Sequence, residues 1–307
     1  MLVTIILAVV AGLLVLVLAL WLFGERWRLL RGSTWRMMRE GGVGLDALHG
    51  YIYGRWTNQY VKLLLSGFPF LRTRPGSGGG KWFSDHYHGK VLTQEQAEAI
   101  VNAKKDIPLR DLEQIIPYPT ARNLVLKGPP DVAVYECACR HAQAKPCAPT
   151  LVCMVIGQPF VDFILEHNPQ SSRRLTQAEA LELLQAEHER GHVHSAWFKD
   201  ALMNRFYAIC NCCQCCCGGI AAMTKYGIPM MASSGYVAQL DAGLCNQCGA
   251  CVDACPFNAL STNDAGVERS WEKCMGCGVC VEKCPTQAMA LARDEKKGIP
   301  LDVRLMA

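Results

Sequence analysis

Cysteine carries the chemistry of this chain: 18 of its 307 residues, gathered in a few knots. Cys245, Cys248, Cys251 and Cys255 follow the spacing C-x2-C-x2-C-x3-C, with Pro256 next. The run repeats 29 residues later as Cys274, Cys277, Cys280 and Cys284, followed by Pro285. Thiolates are soft ligands that select iron–sulfur cores, zinc or copper(I). Zinc takes four thiolates, usually as two C-x2-C pairs; two tandem runs of this kind do not match that pattern, and they point to iron. Gly249, Gly276 and Gly278 let each loop turn tightly, so backbone N–H groups can approach sulfur.

Residues 236–292 resemble a bacterial two-[4Fe–4S] ferredoxin domain. The resemblance implies a small βαββαβ-like fold that passes single electrons and does no bond chemistry itself. It also implies the ligand sets: Cys245, Cys248, Cys251 and Cys284 on one cluster, and Cys274, Cys277, Cys280 and Cys255 on the other.

Ten cysteines lie upstream: Cys137, Cys139, Cys147 and Cys153, then Cys210, Cys212, Cys213, Cys215, Cys216 and Cys217. Successive side chains of an extended chain point to opposite faces, so the second knot cannot all bind one cubane. One partition makes a third cubane from the 137–153 group and a fourth from four of the 210–217 group. Another joins both groups around one larger cluster. Inert buried cysteine is the bland alternative, made improbable by two such tight knots. Either partition adds one or two iron–sulfur clusters to the C-terminal pair. Cys137-Ala-Cys139-Arg140-His141 resembles the CxCRH stretch of ferredoxin–thioredoxin reductase catalytic subunits, which implies a cubane beside a redox-active cysteine pair; the later cysteine spacings depart from that family. His192 and His194 share one side of a strand, and either ligation of iron, proton relay or simple packing fits them.

The elements that must position these residues begin with Leu2–Phe23, an uncharged run of 22 residues. At about 1.5 Å per residue it reaches roughly 33 Å, enough to cross a hydrocarbon core. No basic residue precedes it and Trp21, Leu22 and Phe23 close it, which favours an anchor over a cleaved signal. Arg26, Arg28, Arg31, Arg36 and Arg39 follow. The positive-inside rule places the rest of the chain in the cytoplasm, where thiols stay reduced and disulfides are disfavoured. Residues 24–91 hold 11 basic and 4 acidic side chains, a surplus beside the anchor that suits anionic headgroups. No nucleic-acid motif accompanies it.

Residues 41–71 mix glycine with Tyr51, Tyr53, Trp56 and Tyr60. They read equally as an interfacial helix or as a segment packed on the protein. The Gly-Lys after Arg74–Gly80 is no phosphate loop, because Pro75 and Trp82 occupy the positions of the first Gly and the magnesium-binding Ser/Thr. Capping boxes at Thr93/Gln96 and Thr176/Glu179 start two helices, the second ending at Gly191. Residues 107–135 read as irregular.

The expected fold class is therefore α+β. Residues 1–24 form an anchor, 25–91 a basic juxtamembrane segment, 92–235 a cysteine-rich domain of helices and irregular chain, 236–292 the ferredoxin-like domain, and 293–307 a tail. The whole order resembles membrane-associated polyferredoxin-type 4Fe-4S binding proteins. No radical-SAM triplet, haem attachment site, dinucleotide loop or nucleophile elbow occurs, so no nucleotide cofactor is expected. The expectation is a membrane-anchored carrier passing single electrons between a soluble donor and a membrane or enzyme partner. The alternative is a reductase with a substrate-active cluster within 137–217, with His141, His192 and His194 nearby. A protein that holds metal transiently is a third possibility.

Overall fold

A computed structural model describes residues 2–24, 30–67, 69, 78–109, 112, 115–118, 124–264 and 266–306. Arg26 and Arg28 of the basic flank, and 74–77 of the glycine-rich breaker, lie outside the described residues. Helix α1 (Leu2–Phe23) is one continuous helix. None of Val3–Leu20 is buried, and its length and composition suffice to cross a membrane. Three short helices follow: α2 (Gly32–Gly41), α3 (Leu45–Arg55) and α4 (Thr57–Gly67). They do not stand apart from the protein. Tyr53 is buried, and Gly54 comes so close to Phe163 that an added Cβ would lie 2.7 Å from that ring. The packed reading of 41–71 thus holds for one side of these helices. Val43, Leu45, Leu48, Trp56 and Leu63 remain exposed on the other.

After α5 (Gly78–His86) comes β1 (Tyr87–Leu92), then α6 (Gln94–Val101), capped by Thr93 with Gln96 as expected. A two-stranded ribbon, β2 (Ile107–Leu109) and β3 (Leu124–Leu126), precedes β4 (Val132–Glu136), α7 (Ala138–His141) and β5 (Leu151–Ile156). Then come α8 (Phe160–His167), β6 (Ser172–Leu175), α9 (Gln177–Glu189), β7 (Val193–Lys199), β8 (Arg205–Cys212), α10 (Gly218–Tyr226) and β9 (Met231–Ala232).

Seven of these strands form one sheet in the order β6-β4-β5-β8-β7-β1-β9. All pairs are antiparallel except β1 with β9. The middle of the chain is therefore built on a sheet and is not the helical and irregular domain expected from sequence. Strand β1 straddles the 91/92 boundary. Its Lys90 is buried, with the ammonium donating to the Ile299 carbonyl at 2.9 Å, and its Gly89 packs against Trp197 and Met231. Two apolar layers cover the sheet. One joins Tyr53, Tyr135, Val155, Trp197 and Ile220; the other joins Ile100, Leu126, Met154, Phe198 and Leu301.

The C-terminal lobe is small: β10 (Tyr236–Leu240) pairs with β13 (Met289–Arg293), β11 (Leu260–Asn263) with β12 (Gly266–Arg269), and two short helices, α11 (Ala250–Asp253) and α12 (Val279–Glu282), link them. Its own core is made of Val237, Ala238, Leu260 and Met289 with four cysteines. Gly276, at φ +63°, lies against the Tyr236 carbonyl, where any Cβ would come within 2.2 Å of the oxygen. Only glycine allows that approach. The tail returns to the sheet, with Leu301 and Val303 buried.

Candidate metal centres

The repeat geometry of the C-terminal lobe brings its cysteines together across the two runs. Each C-x2-C-x2-C loop leads through a left-handed glycine, Gly249 or Gly278, into a helix of one turn. Cys255, Cys274, Cys277 and Cys280 face one small cavity of about 20 Å³ walled by Phe257, Met275, Leu260 and Leu291. Burial and, secondarily, the nearby thiols of Cys284 and Cys245 raise Cys251 above its usual value. Cys255 thus lies with the second run, and Cys284 is felt by the first. Backbone N–H groups donate to sulfur: Ala238 to Cys274 at 3.4 Å, Gln247 to Cys245 at 3.4 Å, Ala259 to Cys255 at 3.3 Å and Ala288 to Cys284 at 3.2 Å. Burial and the thiols of Cys255 and Cys274 push Cys280 up to about 12. Burial works against ionising Cys284, yet the Thr286 hydroxyl and nearby amides draw its thiol below the usual value. Residues 238–285 match a 4Fe-4S dicluster domain. No curated protein matches the chain. The dicluster domain occupies one lobe only, and the seven-stranded sheet lies outside the match.

The upstream cysteines fall into two sets in space, each drawing on both sequence groups. Strand β4 runs directly into Cys137, α7 carries Cys139, and Cys153 lies in mid-β5 opposite Tyr135. On β8, Cys210 and Cys212 are two residues apart and so share a face. Cys217 leads into α10. All six line one cavity, and each thiol shifts the titration of the next in a ring: Cys137 with Cys139, Cys139 with Cys217, Cys217 with Cys212, Cys212 with Cys210, Cys210 with Cys153, and Cys153 with Cys137. The Cys153 and Cys212 thiols, outweighing burial, lower the Cys210 thiol below its usual value. Hydrogen bonds donated to a thiolate stabilise it, which explains the direction.

The ring lines a cavity of about 50 Å³. Val61, Leu64 and Leu65 of α4 cover it, and Tyr53, Tyr87, Tyr135 and Trp197 complete the wall. Gly218 permits the close roof, since a Cβ there would come within 2.5 Å of Leu65 and 3.5 Å of the Cys139 sulfur. Three tyrosine hydroxyls meet beside it: buried Tyr53 with buried Tyr207 at 2.6 Å, and half-buried Tyr87 with each at 3.2 Å. Burial raises the pKa of all three, so they stay protonated. Their sequence positions give no sign of this meeting, which needs α3, β1 and β8 to converge.

Cys147 stands apart from the other cysteines of its sequence group. Its sulfur lies with those of Cys213 and Cys215, and the Cys216 sulfur is 3.4 Å from that of Cys215. Neither His192 nor His194 lines the ring cavity. His192 donates through Nδ1 to the Glu187 carboxylate at 2.7 Å, and His194 bonds Asn211 at 2.7 Å. His141 pairs with Glu136 at 2.7 Å, half-exposed. His192 and His194 are buried within the fold, whereas His141 lies at the surface.

Arg140, seen in the sequence only as part of CxCRH, is fully buried. Its guanidinium donates to the carbonyls of Pro149 and Asn211 and pairs with Glu187 at 3.1 Å. Burial alone would lower its pKa, but Cys213 and Glu187 hold it above the ordinary value. It thus ties together the chain segments that bear Cys139, Cys153 and Cys212.

The dicluster domain is seated on this region. Gln214, inside the cysteine knot, donates to the Cys255 carbonyl at 3.2 Å. Met275, Phe257 and Val279 join the apolar layer that contains Cys212 and Cys217, and Cys277 packs against it. Ser234 donates its amide to the Met275 carbonyl at 3.1 Å and its hydroxyl to the Gly276 carbonyl at 2.7 Å.

Proposed function

We propose that this is a membrane-held iron–sulfur electron-transfer protein whose dicluster domain exchanges electrons with a soluble donor and with a further cluster bound inside the six-thiol ring. In this reading Cys245, Cys248, Cys251 and Cys284 hold one [4Fe–4S] group and Cys274, Cys277, Cys280 and Cys255 the other. When bound, such groups supply one-electron chemistry over potentials from roughly −700 to +450 mV. The chain's own contribution is to exclude water by burial and to aim amide N–H groups at sulfur, which tunes the potential. The observation that carries the reading is the seating of the dicluster domain on the ring: Gln214 joins the 210–217 knot to Cys255, while Cys277 packs on the layer holding Cys212 and Cys217. The ring cavity is also the roomier of the two, about 50 Å³ against about 20 Å³ at the second dicluster site.

Helix α1 supports the membrane assignment, together with the exposed Leu45, Leu48, Trp56 and Leu63 beside Arg39 and Arg55. The charge bias after α1 favours a cytoplasmic side for the cysteine-bearing lobes. Because α4 roofs the ring, that centre would sit on the membrane side and the dicluster domain beyond it. One observation favours the reductase reading: six thiols exceed the four that a cubane needs, and Tyr53 and Tyr87 at the same cavity could donate protons.

Iron, acid-labile sulfide and EPR on anaerobically purified protein test the proposal. Cys248→Ser and Cys277→Ser should each lose about four irons per chain while the rest stays. A total of about eight irons in the unmutated protein would leave the ring empty and remove the further cluster from the scheme. Colourless, iron-free protein would remove the whole reading.

A further inference from the structure

We propose that Cys147, Cys213 and Cys215 hold a single divalent ion of the zinc class, with Cys216 as the adjoining thiol. The three sulfur atoms all lie within 4.8 Å of one another, the one such trio among the described residues. Around one tetrahedral ion with metal–sulfur bonds of about 2.3 Å, the ligating sulfurs stand about 3.8 Å apart. In a cubane each thiolate binds a different iron, and the inorganic core holds the sulfurs further apart. The protein supplies its own control. Neither run in the dicluster match, nor any three members of the ring, brings three thiols so close.

The rest of the site agrees. Cys216 is 3.4 Å from Cys215 and offers a fourth sulfur after a side-chain rotation. Cys215 is exposed and Cys147 half-buried, which leaves a path for an ion to enter. Zinc has no redox chemistry of its own and no geometric preference against a thiolate tetrahedron. Binding would release the thiol protons to solvent and couple to local folding. The ion would clamp the 142–150 loop, between Cys139 and Cys153, to the 213–216 turn, between Cys212 and Cys217. Both segments are flanked by ring thiols, and Gln214 in the turn reaches the dicluster domain. Cys213 also lines the ring cavity, but its sulfur groups with those of Cys147 and Cys215, so zinc and iron are read separately in the test.

The test uses full-length protein purified without oxygen, with zinc, iron and sulfide measured per chain in the wild type, Cys147→Ser and Cys215→Ser. Each variant should lose about one zinc with iron and sulfide unchanged. As a mutation-free measurement, Co²⁺ alone is added to zinc-depleted wild type. Thiolate-to-cobalt charge-transfer bands and tetrahedral d–d bands should appear with one equivalent and vanish on adding Zn²⁺. Loss of about four irons with their sulfide in either variant would mean a cubane and would overturn the proposal. Metal content identical to wild type, or no cobalt spectrum, would overturn it equally.

Discussion

Arg140→Met tests how the cysteine-bearing strands are held. The side chain is wholly buried, and its methylene stem can be replaced by methionine with little change in packing. The guanidinium cannot. Its removal strands the carbonyls of Pro149 and Asn211 and takes one cation from the buried Glu187 carboxylate. Breaking a buried ion pair by deleting one partner costs about 3–5 kcal/mol. Here Glu187 keeps Arg190 at 2.8 Å and His192 at 2.7 Å, so the lower end, about 3 kcal/mol, is expected. A protein of this size moves about 2–4 °C per kcal/mol, so the apparent Tm should drop by about 6–12 °C. The assay is thermal unfolding followed by tryptophan fluorescence on oxygen-free protein at one scan rate. The double variant Arg140→Met/Glu187→Leu removes the uncompensated charge and should recover at least about 1 kcal/mol of the loss. A single-variant drop under about 2 °C, or a double variant less stable than either single, would refute the argument that this guanidinium fastens the ring's walls.

His167 links α8 to α2 and α3: its Nδ1 accepts from Arg55 at 2.8 Å and its Nε2 bonds the Thr34 hydroxyl at 2.7 Å. Burial, with Arg55 adding, lowers its pKa to about 4. The folded state therefore prefers the neutral ring, the unfolded chain binds the extra proton between about 6.5 and 4, and stability is full above that window and falls as pH drops through it. Allowing for its partial exposure, roughly 1 kcal/mol is at stake. Amide protection factors in α2 and α3, referred to the intrinsic exchange rate at each pH, should fall between pH 7 and pH 5 in wild type and not in His167→Asn; equal profiles would remove the effect. Deleting residues 1–24 should move the protein from the membrane fraction to the soluble fraction in flotation; retention would mean that the exposed apolar side chains of α3 and α4 bind membrane unaided.

How much was legible in the sequence follows from how local each feature is. The C-terminal runs were readable because a tight glycine loop sets three cysteines within one turn, and the fourth follows from the repeat. Both capping boxes were readable for the same reason: Thr93 and Thr176 each meet their partner three residues on. The central sheet was not. Strand β1 reads YHGKVL, with a glycine and a lysine that argue against a buried strand, yet Lys90 reaches the Ile299 carbonyl from the far end of the chain. The partition of the upstream thiols depends on β5 lying beside β8, with Met154 opposite Ile209. Spacing along the chain cannot show that Cys147 turns away toward Cys213 while Cys153 turns in. His192 lies just before β7 and bonds Glu187 of α9, while His194 within β7 bonds Asn211 of β8, so the shared strand side expected of the pair is not formed.

The seat beneath the C-terminal lobe has a consequence for kinetics. A lobe fastened through Gln214, Ser234, Met275 and Val279 does not swing on a leash between encounters. Any hop across that joint would occur at constant separation, indifferent to solvent viscosity and to added length elsewhere in the chain. Only collision with an outside donor would then feel ionic strength.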